Sequence, residues 1–138
     1  ASLSVEEREF LTKVRPLLEK SGNIPPRTRE LVDLTGIPLR KLEVILKQIT
    51  RSGSLVKVAE NRYFLPETIM ELAEFTEKLV DETPEQNGFT VIQFRDQSGI
   101  GRNLCIEILE YFDRKGFTKR DGNARFLRTE KENIFAKS

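Results

Sequence analysis

The chain has 138 residues, 38% hydrophobic and 33% charged, the balance of a soluble globular protein, and no apolar run approaches the roughly 20 residues of a membrane span. A net charge of +1 conceals a segmental pattern: residues 1 to 66 carry 12 Lys/Arg against 8 Asp/Glu, residues 67 to 87 carry 1 against 7, and residues 88 to 138 carry 10 against 7. With one cysteine, Cys105, and no histidine, the composition excludes an internal disulfide and a Cys/His metal site, which suits a reducing, cytoplasmic setting.

The opening ASLSVEEREF has no signal-peptide pattern, and its Ser4 and Glu7 form an S-x-x-E capping box. Phe10, Leu11, Val14, Leu17 and Leu18 then recur at helical spacing up to Ser21-Gly22. A proline-bearing extended piece, residues 23 to 26, leads into a second helix from about Thr28 to Thr35, expected to bury Leu31, Val32 and Leu34 and to end at Gly36. A third helix begins near Pro38 and sets Leu42, Ile45, Leu46 and Ile49 at i, i+3, i+4 and i+7 before stopping at Ser52-Gly53. SLVKV and RYFL, joined by AEN, read as a hairpin.

From Pro66 the order repeats. Ile69, Leu72, Phe75 and Leu79 mark a first helix, residues 91 to 97 a second, and Cys105, Ile108, Leu109 and Phe112 a third, followed by FTKRD, a DGN turn and ARFLR. The copies align without a gap at a shift of 63 residues, matching Gly36 to Gly99, Ile37 to Ile100, Ile45 to Ile108, Leu46 to Leu109, Arg51 to Arg114, Gly53 to Gly116 and Arg62 to Arg125. Helix, glycine turn, helix and hairpin make a winged helix-turn-helix. The expected architecture is therefore mainly α with small β-hairpins: two tandem winged-helix domains, residues 1 to 66 and residues 67 to 138, the second with a C-terminal tail.

Function must come from what the third helices and hairpins expose. In the first copy the outward face is Arg40, Val44, Lys47 and Arg51, a face suited to nucleic-acid phosphate. The second copy places Asn103, Glu107, Glu110 and Arg114 there, and two carboxylates make it a poor reader of a DNA groove. Its cationic and anion-binding groups lie at the ends instead. Ser98, Gly99, Gly101, Arg102 and Asn103 surround the third helix's N-terminus, where backbone N–H groups favour an anion, and Lys119, Arg120, Arg125 and Arg128 lie on the hairpin with Gly122 at its tip. A compact ligand gripped at two ends fits an RNA hairpin loop or bulge.

The remaining polar and reactive residues have plainer readings. Asp96 and Asp113 are expected to partner arginines, Cys105 to be a buried small hydrophobe, Tyr111 and Phe117 to pack inside, and the acidic run from Glu67 to Glu85 to form a solvated helix face. Without histidine there is no Ser-His or Cys-His pair, and no phosphate-binding GxxxxGK[ST] loop occurs, so no catalytic role is expected.

The run from Phe94 to Arg128 resembles the C-terminal winged helix of the bacterial selenocysteine-specific elongation factors, the SelB family, in FRD, the arginine opening the third helix, LEYFDR, the basic pair, the wing glycine and R-x-L-R. Gly101 and Asn103 depart from that pattern, where a Ser and a Lys are expected. The tandem arrangement extends the resemblance, more loosely, over residues 1 to 65. It implies the tail of a longer translation factor, monomeric, whose last module binds the selenocysteine insertion (SECIS) hairpin of the mRNA. The same resemblance implies that the first module spaces it or contacts ribosomal RNA, and that GTP and the selenocysteinyl-tRNA belong to a GTPase part elsewhere. No cofactor is expected in the present chain. The rival readings are a tandem DNA-binding regulator, favoured by Arg40, Lys47 and Arg51, and a protein-interaction module.

Overall fold

The computed structural model describes residues 3–83 and 88–135 as two compact units, Ala1–Thr68 and Ile69–Ser138. The first unit orders α1 (Val5–Ser21), α2 (Thr28–Thr35), α3 (Leu39–Ser52), β1 (Val56–Ala59) and β2 (Arg62–Phe64). Helix α4 (Pro66–Asp81) contains the division between units and is followed by β3 (Phe89–Thr90), α5 (Val91–Ser98), α6 (Arg102–Arg114), β4 (Thr118–Asp121), β5 (Ala124–Leu127) and a 3-10 turn, Lys131–Asn133. Each unit is a winged helix.

Local chemistry sets the boundaries. At the start of α1 the Ser4 hydroxyl accepts from the Glu7 N–H at 3.1 Å while the Glu7 carboxylate accepts from the Ser4 N–H at 3.0 Å, so two otherwise unpaired donors are satisfied. Thr90 and Gln93 repeat the exchange at α5, and Glu30 supplies the reciprocal half at α2 by accepting from Arg27 N–H at 2.7 Å. Gly36 and Gly99 end α2 and α5 at φ 74° and 75°, the left-handed conformation that side chains disfavour.

The first core gathers Phe10, Val14 and Leu18 of α1, Leu31 of α2, the Leu42, Ile45, Leu46 and Ile49 stripe of α3, and Leu55, Tyr63 and Leu65 of the hairpin segment. Leu34 does not join it. Thr28, Leu31 and Thr35 form the buried stripe of α2, and at 100° per residue Leu34 falls about 90° from its centre, where it is 56% exposed; Val32, at the stripe's edge, is half-buried.

In the second unit Ile69, Leu72 and Leu79 of α4, Phe94 of α5, and Leu104, Cys105, Ile108, Leu109 and Phe112 of α6 are buried. Phe112, Phe117 and Phe135 form an aromatic cluster with centroids 5.1–5.4 Å apart, joined by Tyr111. The Lys131 ammonium and N–H both bind the Glu77 carboxylate, at 3.1 and 2.9 Å, and tie the segment after β5 to α4. Hydrogen bonds that the Lys131 ammonium donates to the Glu132 and Glu77 carboxylates raise its pKa above its ordinary value.

The hairpins differ in detail. β1 pairs with β2 antiparallel with a bulge between Lys57 and Ala59, whereas β4 pairs with β5 in regular register and β3 adds a third strand on the far side of β5. A single bridge, Arg27 to Arg62, stands where β3 would lie in the first unit.

Candidate nucleic-acid interface

In the second unit the start of α6 and the β4–β5 hairpin meet around a cleft of about 420 Å³. Arg102, the first residue of α6, stands on one side; Arg120 of β4 and Asn123 of the turn stand on the other. Val91, Ile92 and Ile106 give it an apolar lining, and Ile92 is 53% exposed despite its hydrophobic side chain. The N-cap of α6 is Gly101, which has no side chain to cap the helix, so its first backbone donors face outward from an end the dipole makes positive. A cationic rim over an apolar lining suits a nucleotide: phosphate to the arginines and helix terminus, a base against the aliphatic side chains.

The structure sorts the sequence-predicted residues into groups. Arg102, Arg120 and Arg125 line the cleft. Gly101, the N-cap, and Asn103, in the first turn of α6, are exposed on either side of Arg102 in the chain, while Arg120 donates through Nε to the Gly122 carbonyl at 2.9 Å and so braces the hairpin tip. Ser98 is occupied within the turn, its hydroxyl accepting from Ile100 N–H at 3.1 Å and donating to the Arg95 carbonyl; Gly99 provides the left-handed turn.

Arg125 is not a free cation. It is 3% exposed, and its guanidinium donates to Asp113 at 3.0–3.3 Å while the Thr118 hydroxyl donates to the same carboxylate at 2.6 Å. The reason is register: Arg120 stands opposite Arg125 and Thr118 opposite Leu127, and these positions share one hairpin face. Lys119, Asp121 and Arg128 point to the other face. Arg128 lines a separate hollow of about 790 Å³ with Glu77, Asp81 and Glu130.

The plainer expectations hold for the described residues. Asp96 pairs with Arg95 at 3.1 Å, Tyr111 and Phe117 are buried, and Cys105 is fully buried with its thiol donating to the Ile100 carbonyl at 3.3 Å; burial raises its pKa. Glu67, Glu71, Glu74, Asp81 and Glu82 are exposed, Glu77 is partly buried, and Glu85 lies outside the described residues. Sequence reasoning missed Ile92, Ile106 and Asn123. A signal existed: at the 63-residue shift they stand opposite Arg29, Glu43 and Glu60, so apolar or neutral groups replace charged ones at outward positions.

Arg40, Val44, Lys47 and Arg51 are all exposed on α3. Lys47 and Arg51 line a second cleft, of about 440 Å³, from which Arg40 is absent. Among the described residues no group of three or more His, Cys, Asp or Glu is placed to hold a metal, and no helix is long and apolar enough to cross a membrane.

Comparison with known proteins adds independent findings. The sequence profile described as "Elongation factor SelB, winged helix" matches residues 83–127. The selenocysteine-specific elongation factor of Escherichia coli (strain K12) is 35% identical over 129 residues, 93% of this chain, and that of Haemophilus influenzae is 29% identical over 133 residues. The chain spans 20% of the length of each. Among solved structures, the mRNA-binding domain of elongation factor SelB from E. coli, in complex with SECIS RNA, superposes with a TM-score of 0.81 at 35% identity, covering 92% of this chain and all of that one. A bacterial selenocysteine-specific elongation factor, EF-Sec, shares the fold at a TM-score of 0.60 and 24% identity over 91% of this chain.

Proposed function

This chain belongs to the SelB family of elongation factors, and from that premise we propose that its second unit binds a SECIS-type mRNA hairpin in the cleft between α6 and the wing. The single observation that carries the reading is the convergence of Arg102, Arg120 and an uncapped helix N-terminus on one partly apolar cleft. Arg102 and the N–H groups at Gly101 to Asn103 take loop phosphate, Arg120 takes phosphate from the wing side with the tip held at Gly122, and Asn123 reaches a base edge. A base splayed out of the loop packs on Ile92 and Ile106. Lys119 and Arg128, on the outer face, add field more than contact. Ser98, Gly99 and Arg125 shape the site from within.

In this reading the chain anchors a translation factor to its message in the cytoplasm, and the GTP-dependent steps belong to the rest of that factor. Arg40, Lys47 and Arg51 of the first unit face ribosomal RNA or leave the unit a spacer. The reading is tested by titrating labelled RNA hairpins against wild type and two variants. Arg102→Ala loses about 1–3 kcal/mol of affinity, and Arg40→Ala stays near wild type. Unchanged affinity for Arg102→Ala removes the site, and preference for a palindromic DNA duplex over every hairpin removes the function.

A further inference from the structure

The first unit's cleft is the second unit's in another chemistry. Thr28, Glu43, Lys57 and Glu60 line it, and at the 63-residue shift these are the positions of Val91, Ile106, Arg120 and Asn123. The clefts then extend in opposite directions. The second runs to Arg102 at the start of α6, the first to Lys47 and Arg51 towards the end of α3. Where the second unit needs only a smooth aliphatic wall, the first has put a hydroxyl and a carboxylate.

That hydroxyl is unusual. Thr28 is 4% exposed and its Oγ1 has no hydrogen-bond partner among the described residues, although its N–H is tied to the Asn61 carbonyl at 3.1 Å. A buried hydroxyl without a partner costs stability, and Val, its counterpart in the other copy, would not. Close by, Lys57 is neutralised by Glu60 at 3.2 Å, whereas Glu43, Lys47 and Arg51 make no ion pair among the described residues. Burial raises the Tyr63 pKa, so its hydroxyl stays protonated. The cleft thus offers a free carboxylate, two free cations and an unspent hydroxyl.

We propose that this cleft is a second nucleotide site, taking one unpaired nucleotide with its phosphate on Lys47 and Arg51 and an exocyclic amino group of its base on Glu43, with Thr28 on the same base edge. A carboxylate accepts from the amino groups of adenine, cytosine and guanine and repels the carbonyl edge of uracil, so the site discriminates by amino group. The inference rests on the first unit being a nucleic-acid face, and it adds what that face reads.

The test uses the intact chain carrying Arg102→Ala and Arg120→Ala to silence the second cleft, with single-stranded RNA hexamers that are all-uridine or carry one central adenosine, cytidine or guanosine. Hexamers with an amino-bearing base bind about tenfold tighter than all-uridine and shift the amide resonances of Thr28 and Tyr63. Glu43→Gln erases that preference, and Lys47→Ala weakens every hexamer. Thr28→Val separates binding from architecture: it raises the melting temperature and yet weakens the amino-bearing hexamers several-fold. Equal affinity for all four hexamers, unmoved Thr28 and Tyr63 resonances, or a Thr28→Val protein that binds as before overturns the proposal. Hairpin affinity of Glu43→Gln in the otherwise wild-type chain stays unchanged, so a chain that fails on hairpins indicts the second cleft and not the first.

Discussion

Arg62 and Arg125 hold the same place in the repeat and both are buried, but their partners differ: Arg62 donates to the Pro25 carbonyl, Arg125 to the Asp113 carboxylate. Removing Arg125 strands a partly buried carboxylate that also organises Thr118. Arg125→Ala is therefore expected to cost about 3 kcal/mol in urea unfolding, near the low end for a broken buried pair because Asp113 keeps some contact with water. Loss of hairpin affinity with unchanged stability would instead make it a direct RNA contact. From sequence an arginine on a wing reads as a cation available to phosphate. The pairing of Asp113 with an arginine was legible, but which arginine depends on strand register, and register depends on how the hairpin packs on α6.

At the scale of elements, periodicity carried most of the reading. The α3 and α6 stripes, the Ser4–Glu7 capping box and the glycine stops of α1, α2 and α3 are local signals, and the structure realises each where the sequence placed it, whereas the Thr90–Gln93 box emerged only in the structure. Leu34 and β3 were less legible. The first sits on a two-turn helix too short for its spacing to define a face, and the second is two residues long and exists only because β5 offers an edge. Gly88, just before β3, marks that edge: a Cβ there would lie 2.6 Å from the Phe126 ring and 2.8 Å from the Arg125 carbonyl oxygen. Gly88→Ala is expected to cost about 1–3 kcal/mol as the strand is pushed off, seen as a lower melting temperature and faster amide exchange in β3 and β5. An unchanged melting temperature would mean that the strand yields without loss.

Over the whole molecule the near-neutral charge is a poor guide, because the acidic run from Glu67 to Glu85 offsets the basic groups in the sum while none of its described residues lines either cleft. Hairpin binding is therefore expected to be salt-dependent despite the net charge of +1. With about three phosphate contacts, affinity falls roughly twentyfold between about 50 and 200 mM salt, measured by fluorescence anisotropy. A flat response would point to a protein partner. The duplication was visible in one sequence because the turn glycines, the Ile45-Leu46 pair and Arg62 recur unchanged as Gly99 and Gly116, Ile108-Leu109 and Arg125. The clefts were not, since their linings come from segments far apart in the chain, Val91 with Asn123 and Thr28 with Glu60.

The alternation along the wing turns cation placement into a matter of parity. On β4 one parity addresses the cleft and the other the solvent, so Arg120 and its neighbour Lys119, alike in charge, are not substitutes for each other. A one-residue slip of that strand would keep the composition and the isoelectric point and still exchange inside for outside, delivering Lys119 to the cleft and Arg120 to water. Selection on such a wing acts on phase as much as on residue type, and a comparison of relatives that counts basic residues without counting positions would miss it.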